Sequence, residues 1–138
     1  MEQKKSGSRG TEIAAQYFAF LDQHLADILE DRVDEMLTIS QIAQQLFVAP
    51  GHLTNTLTRE TGHHPCYYYD LKIIEVANKL LLNSNLSGAE IARRLTFDPS
   101  NFVKFYKSIT GITPAIFREK RTLPPILPIE QKKYLRLV

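Results

Sequence analysis

The chain has 138 residues, enough for one domain with a buried core. Hydrophobic residues make up 43% and charged residues 23%, the balance of an ordinary globular protein, and no apolar run approaches the length of a membrane span. The start Met1-Glu2-Gln3-Lys4-Lys5 has no apolar secretory segment behind it, and the single cysteine, Cys66, excludes an internal disulfide framework, so a cytoplasmic setting is expected.

Met1 to Gly10 is polar and contains glycine, and it is expected to be disordered. From Thr11 onward Ile13, Tyr17, Phe20 or Leu21, His24 and Ile28 recur at three- to four-residue spacing, which predicts a helix of about five turns. Its wide aromatic stripe suits packing on the element that follows; a dimer contact is the less common use of such a stripe. Residues 1–36 are therefore an N-terminal segment plus a packing helix.

Residues 37–65 hold Ile42-Ala43, Leu46, Pro50, Leu53 and Leu57, then the stop Thr61-Gly62 before Pro65. Residues 66–85 form a long apolar helix. Tyr68, Leu71, Ile74, Ala77 and Leu81 share one face, and Ile73, Val76 and Leu80 widen it. A surface that broad suits a bridge touching elements on both sides, although a long core helix would have the same period.

Residues 86–118 are the most informative. Ser87 with Glu90 three residues later is a capping-box signal, and Ile91, Ala92 and Leu95 give a short helix one apolar face. Asp98-Pro99 opens a second helix, Phe102, Phe105, Tyr106 and Ile109 form its inner side, and Gly111 followed by Pro114 stops it. Ser100, Asn101, Val103, Lys104 and Lys107 lie on the other side. Two short helices at a sharp turn describe either a plain helical hairpin or a helix-turn-helix whose second helix can lie in a DNA major groove.

An internal duplication favours the second. Ile91-Ala92 stands 49 residues after Ile42-Ala43, and the same shift carries Thr38 to Ser87, Gln41 to Glu90, Leu46 to Leu95 and Pro50 to Pro99. It also carries Leu53 to Phe102, Leu57 to Tyr106, Thr61-Gly62 to Thr110-Gly111 and Pro65 to Pro114. Caps match caps, core matches core, and stops match stops. In the first copy the outward positions are His52, Thr54, Asn55, Thr58 and Arg59.

Residues 119–138 begin basic. The prolines at 124, 125 and 128 exclude a continuous helix, so an extended tail is expected, then a short helix from Glu130 to Leu135.

With Glu90-Ile91-Ala92, Phe102, Phe105-Tyr106-Lys107, Thr110-Gly111-Ile112-Thr113-Pro114 and Phe117-Arg118 in place, the span from Leu37 to Arg118 resembles the DNA-binding module of the AraC/XylS family of bacterial transcription regulators. The resemblance implies an all-α fold of about seven helices, two homeodomain-like helix-turn-helices bridged by one long helix. It implies a sequence-specific regulator that inserts two recognition helices into adjacent major grooves. Double-stranded DNA is then the partner, with RNA polymerase a further candidate and monomer or dimer left open. The ten outward residues named above become the DNA-binding set.

The sequence departs from the family pattern in several places. Phe47 and Thr96 stand where a turn glycine is usual, and Ala49 where a capping serine is common. Asn55 matches a position that is usually basic, and the second turn is one residue shorter than usual. These departures support an alternative, a helical protein-interaction module of the same fold with weak or no specific DNA binding.

Charge is unevenly distributed. The balance is −4 over residues 1–36, zero over 37–85, +4 over 86–121 and +2 over 122–138. The second helix-turn-helix is expected to supply most of the electrostatic attraction to phosphates. No catalytic residue, metal or cofactor is expected. His63-His64-x-Cys66 with His52 lacks four ligands at zinc spacing, and no carboxylate is placed to orient a histidine beside the thiol.

Overall fold

The computed structural model describes the backbone of residues 2–122 and the side chains of residues 9–122. Among these residues there are seven α-helices and no strand: α1 (Glu2–Leu29), α2 (Ile39–Gln45), α3 (Pro50–Thr61), α4 (Pro65–Asn83), α5 (Gly88–Arg94), α6 (Pro99–Thr110) and α7 (Pro114–Lys120). The all-α expectation and its helix count hold.

The 49-residue shift is reproduced element by element. Helices α2 and α5 have 7 residues each and α3 and α6 have 12 each, and every start in the second copy lies 49 residues after its counterpart. Both short helices open with a complete capping box: Thr38 with Gln41 and Ser87 with Glu90. Both close with the same hydrogen bonds, Val48 N–H to Ala43 O at 3.0 Å and Phe97 N–H to Ala92 O at 2.8 Å. That six-to-one closure needs a left-handed residue one position earlier. Phe47 (φ 62°) and Thr96 (φ 66°) supply it without being glycine. Each α3-type helix then ends on a left-handed glycine, Gly62 at φ 94° and Gly111 at φ 87°.

Helix α1 differs from the sequence expectation at its start. Disorder was expected through Gly10, whereas the helix begins at Glu2. Residues 2–10 contain no proline, and adding residues to an anchored helix avoids the cost of nucleation. A glycine lowers helix propensity by about 1 kcal/mol without ending the helix.

From Ile13 the inner face of α1 is as expected. Ile13, Ala14, Tyr17, Leu21, Leu25 and Ile28 are buried, and Leu21, not Phe20, takes the ambiguous core position. This stripe is used within the chain, since α1 packs on α3 and α4. Gly10 lies so near α3 that a Cβ there would sit 2.5 Å from Glu60 Oε2.

Helix α4 packs against α1 and α3, and also against α5 and α7. Its residues Tyr69, Ile73, Ile74, Ala77 and Leu81 join one core with Ile42, Leu53 and Leu57 of the first copy and Ile91, Leu95, Phe102 and Tyr106 of the second. Buried tyrosines fasten this core through their hydroxyls. Tyr17 donates to Pro65 O at 2.7 Å, Tyr69 to Leu37 O at 2.8 Å and Tyr106 to Asn78 Oδ1 at 2.6 Å. Burial pushes all three phenols well above their ordinary pKa, so they remain donors at any physiological pH. The tail and short helix expected beyond Thr122 lie outside the described residues.

Candidate nucleic-acid interface

Helices α3 and α6 are positioned by their inner faces. Leu53, Thr56 and Leu57 of α3 are buried, as are Phe102, Tyr106, Ile109 and Thr110 of α6. The Phe97 ring meets Phe102 edge-on at 5.5 Å and fixes how the second turn enters α6. The opposite faces are left to solvent. His52, Asn55 and Arg59 are exposed on α3; Ser100, Asn101, Val103, Lys104 and Lys107 are exposed on α6. Nine of the ten outward side chains thus lie at or near these two surfaces, Thr54 being half-buried.

Thr58 is the tenth and differs. It is half-buried, and its hydroxyl is fully covered with no hydrogen-bond partner among the described residues. A threonine can place its methyl outward and its oxygen inward, an orientation that spacing alone does not reveal. Ser100 is also partly committed, because its hydroxyl donates to Asp98 Oδ2 at 2.7 Å.

The two helix starts differ electrostatically. Asp98 caps α6, accepting from Asn101 N–H at 3.4 Å, and the Ser100 hydroxyl, then Asn101 N–H, holds its carboxyl below the usual carboxylate range. Ala49 offers α3 no side-chain cap. The start of α3 is therefore bare, with exposed Ala49, Pro50 and Gly51 and first-turn N–H groups that no capping side chain receives.

Three arginines complete the charge pattern. Arg93 and Arg94 are exposed in the last turn of α5 and contribute to the +4 balance of residues 86–121, although neither stood among the ten expected contact residues. Arg118 is used differently. Its Nε donates to Leu81 O at 2.9 Å and its Nη2 to Ser84 O at 3.2 Å, closing the carbonyl end of α4 and tying α7 to it. Its charge belongs to the +4 segment expected to attract phosphates, but its guanidinium is engaged by the end of α4.

No group of three or more His, Cys, Asp or Glu side chains able to hold a metal occurs among the described residues. His63 instead stacks on Tyr67 with ring centroids 3.8 Å apart. No described helix is long and apolar enough to cross a membrane.

The profile of a family described as a helix-turn-helix domain matches residues 42–120, more than half of the chain. This chain belongs to the AraC-type helix-turn-helix family. The AraC-type chain is 27% identical over 108 residues to YtdP of Bacillus subtilis (strain 168), an uncharacterized HTH-type transcriptional regulator. That alignment covers 78% of this chain but only 14% of the relative. The C-terminal domain of the two-component response regulator yesN from Fusobacterium nucleatum has a similar structure, with TM-score 0.57 and 27% identity over 70% of this chain and 96% of that one. The DNA-binding domain of AdpA, solved in complex with a target DNA, shares the fold at TM-score 0.58 and 23% identity, covering 72% of this chain and 90% of that one. Family and fold are those of DNA-binding domains of transcription regulators, not of enzymes.

Proposed function

We propose that this AraC-type domain binds double-stranded DNA sequence-specifically and regulates transcription, with α3 and α6 in adjacent major grooves. The repetition of one helix-turn-helix at a fixed 49-residue shift, each copy with a polar outer face on its second helix, carries this reading. Helix α4 spans roughly 28 Å at ~1.5 Å per residue, close to the ~34 Å that separates successive grooves on one side of a duplex.

The exposed residues suit a different chemistry in each half. Asn55 can form a bidentate pair with adenine, with His52 and Thr54 beside it and Arg59 toward phosphate. Val103 can contact a thymine methyl, Lys104 favours guanine, and Asn101 and Ser100 flank them. Lys107, Arg93 and Arg94 serve the phosphate backbone, while Thr58 contributes packing. The site is therefore asymmetric, because the two helices present different groups.

Selection of bound duplexes followed by footprinting at matched occupancy tests this. Two protected segments one turn apart are expected, and Asn55→Ala should alter preference in one of them only. Protection confined to the segment read by α6, unchanged by Asn55→Ala, would make the first copy a support and not a reader.

A further inference from the structure

Phe47 is 93% exposed, whereas the other large apolar side chains on the described surface, Val33, Val103 and Ile116, reach at most 41%. It also sits at φ 62°, where a bulky residue is an outlier and glycine is free of strain. Both costs would vanish with glycine, and neither is offset inside the fold. The ring meets solvent, and the backbone N–H, which bonds to Gln44 O at 3.1 Å, would do so in any residue. Thr96 shares the strained backbone, so what sets Phe47 apart is a bulky apolar ring held in solvent at such a position, and that combination points to a use outside the folded chain.

Its place says which use. Phe47 leads through Val48 and Ala49 directly into α3, whose first residues are the bare, exposed Ala49, Pro50 and Gly51. In a helix-turn-helix the first helix crosses the DNA backbone while the N-terminal residues of the second contact base edges, so the turn that joins them passes the sugar-phosphate edge of the groove. A ring there meets a deoxyribose face, which is apolar and the same for every base. The matching turn of the second copy carries the small, polar Thr96 in the same left-handed conformation. That copy already has Lys104, Lys107, Arg93 and Arg94 near its helices, whereas α3 carries one basic residue, Arg59, paired at 3.7 Å with Glu60.

We infer that Phe47 is a DNA-contact residue of the first helix-turn-helix, packing its ring on the deoxyribose backbone beside α3 and compensating for a copy whose only basic residue is Arg59. This rests on the DNA-binding reading above.

The test is fluorescence anisotropy of the whole chain on its selected duplex at two salt concentrations, with melting temperature measured in parallel. The variants are Phe47→Gly, Phe47→Asn and, as a control, Thr96→Gly. Phe47→Gly should melt a few degrees higher and bind about tenfold more weakly. Its salt slope should be unchanged, because no phosphate contact is lost. Phe47→Asn, which tolerates the left-handed backbone, should lose the same affinity, and Thr96→Gly should gain stability with binding unaltered. Wild-type affinity in both Phe47 variants overturns the inference while leaving the DNA-binding reading intact. So does a loss of self-association with DNA affinity kept, which would give the ring to a second copy of the chain. A wild-type chain that binds no duplex sinks the underlying reading instead.

Discussion

Leu37 is held at both ends of its backbone. Its N–H donates to His24 Nε2 of α1 at 3.0 Å, and its C=O accepts from the Tyr69 hydroxyl of α4 at 2.8 Å. One residue later the capping box of α2 begins, so the first helix-turn-helix is hung from these two bonds. Only neutral His24 can accept. Burial pushes its pKa below the ordinary 6.5, with Asp27 opposing, while the rings of Phe20 and Tyr69 lie alongside. The unfolded chain therefore takes up this proton first. The stability it contributes is complete above the unfolded pKa and is lost as pH falls through the folded one. Denaturant unfolding between pH 7 and pH 5 should show stability falling with pH, and His24→Gln, which keeps an acceptor that does not titrate, should flatten that slope. His24→Ala leaves the Leu37 N–H unpaired and should cost roughly 1–3 kcal/mol at pH 7.

At the same scale Lys104 and Lys107 separate two roles. Both are exposed, three residues apart on α6. Lys107→Ala should weaken all duplexes about equally and lower the salt slope by about 1. Lys104→Ala should cost ~1–3 kcal/mol on the preferred site and relax specificity there. Binding titrations on selected and scrambled duplexes distinguish the two, and equal losses on both duplexes for both variants would refute the assignment.

Among elements, the two copies form an internal comparison in which backbone is held constant while side chains vary. Helix α6 is capped by Asp98 and α3 by nothing. Ala49→Ser should therefore stabilise the chain by about 1 kcal/mol in thermal or denaturant unfolding, whereas Asp98→Ala should lower the melting temperature. No change from Ala49→Ser would mean that the α3 N–H groups are already satisfied by water. This pairing also explains what could be read in advance. Caps, prolines and stop glycines are local signals, so Thr38, Ser87, Pro50, Pro99, Gly62 and Gly111 locate four helices from the sequence alone. The left-handed conformation of Phe47 and Thr96 was foreshadowed by their match to a glycine position. The inward turn of the Thr58 hydroxyl and the capture of Arg118 by Leu81 and Ser84 were not. Each depends on a rotamer or a partner distant in sequence, about which spacing carries no information. The start of α1 at Glu2 was missed because composition reports how little a segment can bury, not whether an anchored helix extends through it.

For the whole molecule, the helix that both halves use for their cores is the decisive feature. Ala77 is fully buried near the middle of α4, in the core shared with Leu57 and with Ile91. Neither helix-turn-helix has a complete interior without α4, so neither is expected to fold independently. Heat or denaturant should then melt the chain in one cooperative transition, with calorimetric and van't Hoff enthalpies equal. Damage at the middle should also travel both ways. Ala77→Gly, costing about 1 kcal/mol or more in a helix interior, should reduce hydrogen-exchange protection of the globally protected amides of α3 and α6 by the same factor. Loss confined to one of them would show two separable foldons. If the transition is single, a lesion in the weakly charged first half depletes the basic second half of folded molecules to the same extent. An inherited substitution far from Lys104 would then silence the contacts proposed for Lys104 through population alone.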